Sequence, residues 1–96
     1  MAGKIAIQNV VSPGRTYNVD ATKYEAMKTV VLKVIPGKSP GMTVAELLES
    51  VRPKLPQDLF PGGAKAGWWL KAVQLDLEAK SVLVRENTKP LRLHKV

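Results

Sequence analysis

One segment, residues 62–80, constrains the fold of this chain more than any other. It predicts a helix, and on a wheel of 100° per residue its apolar side chains fall into two groups. One group is Trp69, Leu70, Val73 and Leu77, and the other is Trp68, Ala72, Leu75 and Ala79. Asp76 and Lys80 lie between the groups at a spacing that allows them to pair. The remaining polar stripe consists of Gly67, Lys71, Gln74 and Glu78. A helix that is apolar around most of its circumference is expected to be buried on two sides, by the domain core and by a hairpin, an arm or another subunit.

Two further helices precede this segment. The first is predicted over residues 21–35, with Pro36-Gly37 as its stop signal. Asp20 is a good N-cap for it, and a capping box at Thr22–Glu25 is the alternative. The second begins at the capping box Thr43–Glu46 and ends before Pro53, which lacks the N–H that a helix interior needs. The Gly62-Gly63 pair ahead of the third helix is interpreted as a turn, because two glycines alone are a weak signal for a phosphate site.

Short strand-like runs lie at both ends of the chain. Ser81–Arg85 and Leu91–His94 flank a turn and predict a C-terminal β-hairpin. Residues 1–19 form an arm that contains a possible strand around Ile5 and Ile7 and a turn signal at Ser12–Gly14. The predicted fold is therefore α+β: a winged helix-turn-helix of three helices with a C-terminal hairpin wing over residues 20–96, preceded by an N-terminal arm.

Several motifs carry a resemblance that covers nearly the whole chain. They are Ser12–Arg15, Val19–Met27, Leu59–Gly63, Gly67–Trp69 and Val73–Lys80. In these motifs the chain resembles a family of small uncharacterised bacterial proteins of winged-helix type. The resemblance implies a fold but no function. Winged helices often have glycine after the third helix, whereas this chain has Ser81 there.

Composition narrows the classes of function. The 96 residues are enough for one domain, there is no cysteine, and the net charge is +7. A charge of that size favours polyanionic partners. The N-terminus lacks the apolar core of a signal peptide and no stretch is long enough to span a membrane, so a cytoplasmic location without membrane association is expected.

Catalysis and cofactor binding are not expected. His94 is the only histidine, and the sequence shows neither a zinc-ligand pattern nor a nucleophile with its base. We therefore expect no enzyme activity, no catalytic residue, no metal and no cofactor. The sequence identifies no small molecule as a partner and leaves an effector ligand open.

Two functions remain open. In the first, the third helix and the hairpin bind duplex DNA. The side chains predicted to line that face are Lys65, Lys71, Gln74, Arg85, Lys89 and Arg92. In the alternative, the same scaffold is a protein-interaction or homodimerisation module without DNA binding. Its predicted interface residues are Trp68, Ile5 and Ile7, and a second copy of the chain is one candidate partner.

Overall fold

A computed structural model describes residues 3–12 and 14–96 of the chain. The architecture is α+β, with three helices and two small sheets in the described residues. In chain order the elements are β1 (Lys4–Gln8), β2 (Thr16–Asp20), α1 (Ala21–Val34), β3 (Met42–Thr43), α2 (Val44–Val51), α3 (Ala66–Ala79), β4 (Leu83–Glu86) and β5 (Arg92–Lys95). Two short 3-10 turns, Arg52–Lys54 and Pro61–Gly63, lie between α2 and α3.

The N-terminal arm forms an antiparallel hairpin of β1 and β2, in which Ile5 faces Val19 and Ile7 faces Tyr17. Ile7 and Val19 are buried in the core, so the hairpin is an integral part of the domain. A strand around Ile5 and Ile7 is among the sequence predictions, whereas its partner β2 is not. The predicted turn at 12–14 includes residue 13, which lies outside the described residues.

The starts of α1 and α2 follow the sequence predictions closely, whereas α3 begins at Ala66, after the turn at Pro61–Gly63. The Asp20 side chain accepts hydrogen bonds from the backbone N–H groups of Thr22 and Lys23, at 2.8 and 3.3 Å. At α2, Thr43 Oγ1 accepts from the Glu46 N–H and Glu46 Oε1 accepts from the Thr43 N–H, at 3.1 and 2.9 Å. Both N-caps are therefore confirmed. They could be predicted because each is built from residues close together in sequence.

The C-terminal hairpin is present, but its sheet is larger than predicted. The short strand β3 pairs with β5, so the strand order is β3-β5-β4 and not that of a simple hairpin. Gly41 permits this pairing: its φ is +87°, and a Cβ built there would overlap the carbonyl of Leu93. The backbone of the α1–α2 connection can therefore lie directly against β5.

Helix α3 packs against α1, α2, β1 and β4. Its first apolar group is buried as predicted, whereas in the second group Leu75 is buried and Ala72 and Ala79 are half-buried. Trp69 lies in the core with its ring edge-on to Phe60, whereas Trp68 is 58% exposed. At the end of α3, Ser81 takes a φ of 61°, so the left-handed turn into β4 forms without glycine.

Candidate functional site

A buried carboxylate joins the N-terminal hairpin to α3. Asp76 is fully buried, and its Oδ2 accepts hydrogen bonds from the Tyr24 hydroxyl and, at 2.9 Å, from Lys80 Nζ. Its Oδ1 accepts from the backbone N–H of Gln8 in β1 at 2.8 Å. Burial and the hydrogen bond to Asp76 raise the pKa of Tyr24 far above its usual range. The predicted pairing of Asp76 with Lys80 is confirmed, and the carboxylate also ties three elements together.

The predicted polar stripe of α3 is wrong in its C-terminal half. Gln74 and Glu78 are 3% and 8% exposed, and Gln74 Nε2 donates to Glu78 Oε2 at 2.9 Å. Arg85 in β4 donates to both oxygens of Glu78, at 2.6 and 3.1 Å. A bidentate guanidinium–carboxylate pair of this kind supplies the partners that allow the Glu78 carboxylate to be buried, while the Arg85 side chain stays 32% exposed.

These pairings divide the six side chains that were predicted to bind nucleic acid. Gln74 and Arg85 are engaged with Glu78, and Arg92 donates to the Gly41 carbonyl at 3.0 Å while lying 3.6 Å from Glu46. The three lysines, Lys65, Lys71 and Lys89, are exposed. The structure therefore places Lys65 at the N-cap of α3, Lys71 within the first half of that helix and Lys89 in the β4–β5 turn, with the other three in intramolecular contacts.

The predicted interface residues also divide. Ile7 is buried and Ile5 is half-buried against the core of the same chain. Trp68 is exposed, and its ring meets Trp69 edge-on at a centroid distance of 5.0 Å. Trp68 is thus held in place by a buried neighbour while much of its surface faces solvent.

Trp68 stands on the wall of a groove between the N-terminal hairpin and the first half of α3. The groove has a volume of about 680 Å³. Helix α3 and the hairpin supply its lining: Gly67, Trp68, Lys71, Ala72 and Leu75 from α3, and Ile7, Gln8, Asn9, Tyr17, Asn18 and Val19 from the hairpin. Tyr17 is 44% exposed, so the groove carries two accessible aromatic side chains. Lys71 carries the only charge among the described lining residues.

The sequence predictions do not include this groove. The signal for β2 is the β-branched and aromatic content of the run Thr16-Tyr17-Asn18-Val19, which is typical of a strand. Tyr17 becomes a site residue only when β2 is paired with β1 and placed beside α3.

In the described part of the chain, no group of three or more His, Cys, Asp or Glu side chains is placed so that it could hold a metal ion. His94 hydrogen bonds through Nδ1 to the Lys95 carbonyl and through Nε2 to Glu86, both at 2.9 Å. None of the helices in residues 3–12 and 14–96 combines the length and apolar character needed to cross a membrane.

The fold and groove define a small α+β domain with one accessible aromatic surface on its third helix. A family model matches residues 4–93, and the chain belongs to that family, which is described as a family of unknown function (DUF6958). No curated protein and no solved structure shows significant similarity to the chain.

Proposed function

We propose that this chain is a winged-helix protein that acts as an interaction module, binding a segment of a partner protein in the groove beside Trp68. The observation that carries the proposal is the 58% exposure of Trp68 in a groove that also presents Tyr17. Large aromatic side chains at the centre of an accessible pocket supply much of the affinity in protein interfaces. The wall of the groove is anchored by Trp69 and by the hairpin, so little conformational entropy is lost on binding.

The connectivity of the chain supports the winged-helix part of the proposal. A short strand between α1 and α2 joins the C-terminal hairpin in a sheet of order β3-β5-β4. This arrangement agrees with the resemblance to bacterial winged-helix proteins. One departure is the connection between α2 and α3, residues 52–65, which is longer than the three or four residues of a simple helix-turn-helix.

The contacts of α3 favour this function over base readout. A recognition helix reads base edges with side chains such as glutamine and arginine that reach out from the helix. Gln74 is buried, and the fork of Arg85 is already filled by Glu78. Presenting either side chain to DNA would remove one of the two partners of the buried Glu78 carboxylate.

Selection from a displayed library of random peptides, with the native protein as bait, tests the proposal. We expect enriched peptides whose binding is lost on Trp68→Ser and retained on Val84→Ser. Val84 is a matched control, since it is an exposed apolar residue of β4 outside the groove lining. Circular dichroism checks that both variants are folded. Failure to enrich any peptide that requires Trp68 would refute the proposal.

Duplex DNA binding through phosphates is a second candidate function, and the exposure of Lys65, Lys71 and Lys89 together with the +7 charge supports it. Fluorescence anisotropy at two salt concentrations tests it. Binding that weakens steeply with salt and is reduced by Lys65→Gln and Lys71→Gln would support this candidate. Absence of binding at low salt, or binding insensitive to salt, would exclude it.

A further inference from the structure

We infer that the occupant of the groove is an extended partner segment that pairs with β2 as an additional strand and turns apolar side chains and an acidic side chain toward α3. The inference rests on the partner-binding function proposed above and adds the chemistry and conformation of the partner. It is carried by three features of the groove: the free edge of β2, the positions of the aromatic side chains, and the charge.

The hydrogen bonds of the hairpin show which backbone groups of β2 point outward. Because the Gln8 N–H is donated to Asp76, the pair Gln8–Thr16 does not exchange ladder hydrogen bonds. Pairs alternate along an antiparallel ladder, so Asn18 is also in a pair of this outward-pointing kind. The bond from the Ala21 N–H to the Gly3 carbonyl, at 2.9 Å, agrees with that phase.

The outward groups of Thr16 and Asn18 are therefore available to another strand. Among the described residues, β2 pairs with β1 alone, so its second edge is open. The central residues of this edge, Tyr17, Asn18 and Val19, include neither a proline nor a charge, two common protections against pairing. Extended peptides bind such edges through main-chain hydrogen bonds, while alternate side chains enter pockets.

The groove provides the pocket for those alternate side chains. Three consecutive residues of β2, Tyr17 to Val19, line it, as expected where a groove runs along the edge of a strand. Trp68 and Leu75 form the opposite wall on α3. Every second side chain of an added strand would face this wall, so apolar residues are expected at those positions.

Charge adds an acidic side chain to the groove-facing positions, because Lys71 lies on the same α3 wall as Trp68 and Leu75. Lys71 is exposed in the groove, and no acidic residue is found among the described lining residues. Arg15, just before β2, is also exposed. A second copy of the chain would bring another charge of +7 to this surface, whereas an acidic segment is attracted to it.

The peptide selection described above provides the test when one further bait, Lys71→Glu, is included. We expect peptides enriched on the native protein to carry apolar residues and an Asp or Glu at every second position, on the face turned to α3. On the Lys71→Glu bait the acidic preference should disappear or turn to Lys and Arg. Trp68-dependent peptides without an acidic residue on that face, or with an unchanged charge preference on Lys71→Glu, would overturn the inference and leave the interaction function intact.

A proline substitution tests the strand pairing itself. Proline is tolerated on an edge strand where the N–H faces solvent, so Asn18→Pro removes the outward donor and should leave the hairpin formed. We expect the most enriched peptide to bind Asn18→Pro at least about tenfold more weakly than Asn18→Ala, since main-chain hydrogen bonds supply affinity in this mode. Equal affinity for the two variants would contradict strand addition.

Amide hydrogen exchange on the native protein gives a second reading that needs no variant. The Asn18 amide should exchange fast in the free protein and become protected in the peptide complex. The Val19 amide, which faces β1, should be protected in both. An Asn18 amide that stays unprotected in the complex would overturn the inference. A doubled mass in light scattering that Asn18→Pro abolishes would do the same, since it would identify a second copy as the occupant.

Discussion

Replacing Asp76 with alanine should destabilise the fold more than any surface change in this chain. Asp76 is fully buried and accepts from Tyr24, Lys80 and the backbone of Gln8. The substitution leaves the buried Tyr24 hydroxyl and the Gln8 N–H without their acceptor, and it removes the counter-charge of Lys80. The network joins α1, α3 and β1, so its loss affects the attachment of the hairpin as well as the core.

The magnitude follows from the kinds of contact that are lost. The Tyr24 hydroxyl and the Gln8 N–H each donate a hydrogen bond to the charged Asp76 carboxylate, and each such bond contributes about 1.5–3 kcal/mol. Loss of the two together therefore costs about 3–6 kcal/mol. For a domain near 100 residues, each kcal/mol lowers Tm by about 4–8 °C. We therefore expect Asp76→Ala to lower Tm by more than about 12 °C and Tyr24→Phe by about half as much.

Urea denaturation followed by circular dichroism measures both losses, and a double-mutant cycle of Tyr24→Phe and Asp76→Ala isolates their coupling. Glu49→Ala is the control, because Glu49 pairs with Arg52 at 2.9 Å but its side chain is 74% exposed. Such a surface pair is worth less than about 1 kcal/mol. A loss for Asp76→Ala no larger than that of Glu49→Ala, or a coupling near zero, would refute the reasoning.

Three further predictions concern other parts of the molecule. Gly41→Ala should lower the free energy of unfolding measured in urea by more than about 2 kcal/mol, because the new Cβ overlaps the Leu93 carbonyl at a left-handed backbone position. A loss below about 0.5 kcal/mol would contradict the β3–β5 packing. The pKa of His94, raised by its hydrogen bonds to the Lys95 carbonyl and to Glu86, should lie above the ordinary 6.5 in an NMR titration and fall on Glu86→Gln. Because the pKa of His94 is higher in the folded than in the unfolded protein, protonated His94 stabilises the fold. This stabilisation is complete below pH 6.5 and is lost as the pH rises through the folded-state pKa. A measured His94 pKa at or below 6.5 would contradict the prediction. Trp68→Phe should remove most of the tryptophan emission that acrylamide quenches, whereas unchanged quenching would mean that the remaining tryptophan is the exposed one.

The parts of the fold that sequence reasoning predicted depend on neighbours in the chain. The cap at Asp20 and the capping box Thr43–Glu46 each need only three or four consecutive residues. The apolar periodicity of α3 similarly reports burial on two sides. The two-residue strand β3 was missed because no pattern can develop over Met42–Thr43, and its partner β5 lies far along the chain.

Polar residues of α3 were harder to place, because their partners come from other elements. From the sequence, Glu78 is predicted to be solvated. In the structure the turn at Ser81 places Arg85 of β4 next to Glu78, and the two side chains pair. Asp76 reads as part of a local pair with Lys80, although Tyr24, on a different helix, completes its shell. A one-dimensional pattern cannot distinguish a solvated charge from a buried charge that has partners.

The two halves of α3 therefore have different roles. In the C-terminal half, Gln74, Asp76 and Glu78 face inward or are covered, and exposing any of them would break charge-assisted hydrogen bonds. In the N-terminal half, Trp68 and Lys71 reach solvent, and both line the groove. The hairpin of β1 and β2 contacts both halves of α3. In the C-terminal half β1 supplies the Gln8 N–H to Asp76, and beside the N-terminal half β2 forms a wall of the groove. A partner that binds the N-terminal half can use the hairpin edge without disturbing the Asp76 network, whereas a ligand that engaged the C-terminal half would first have to unfold it.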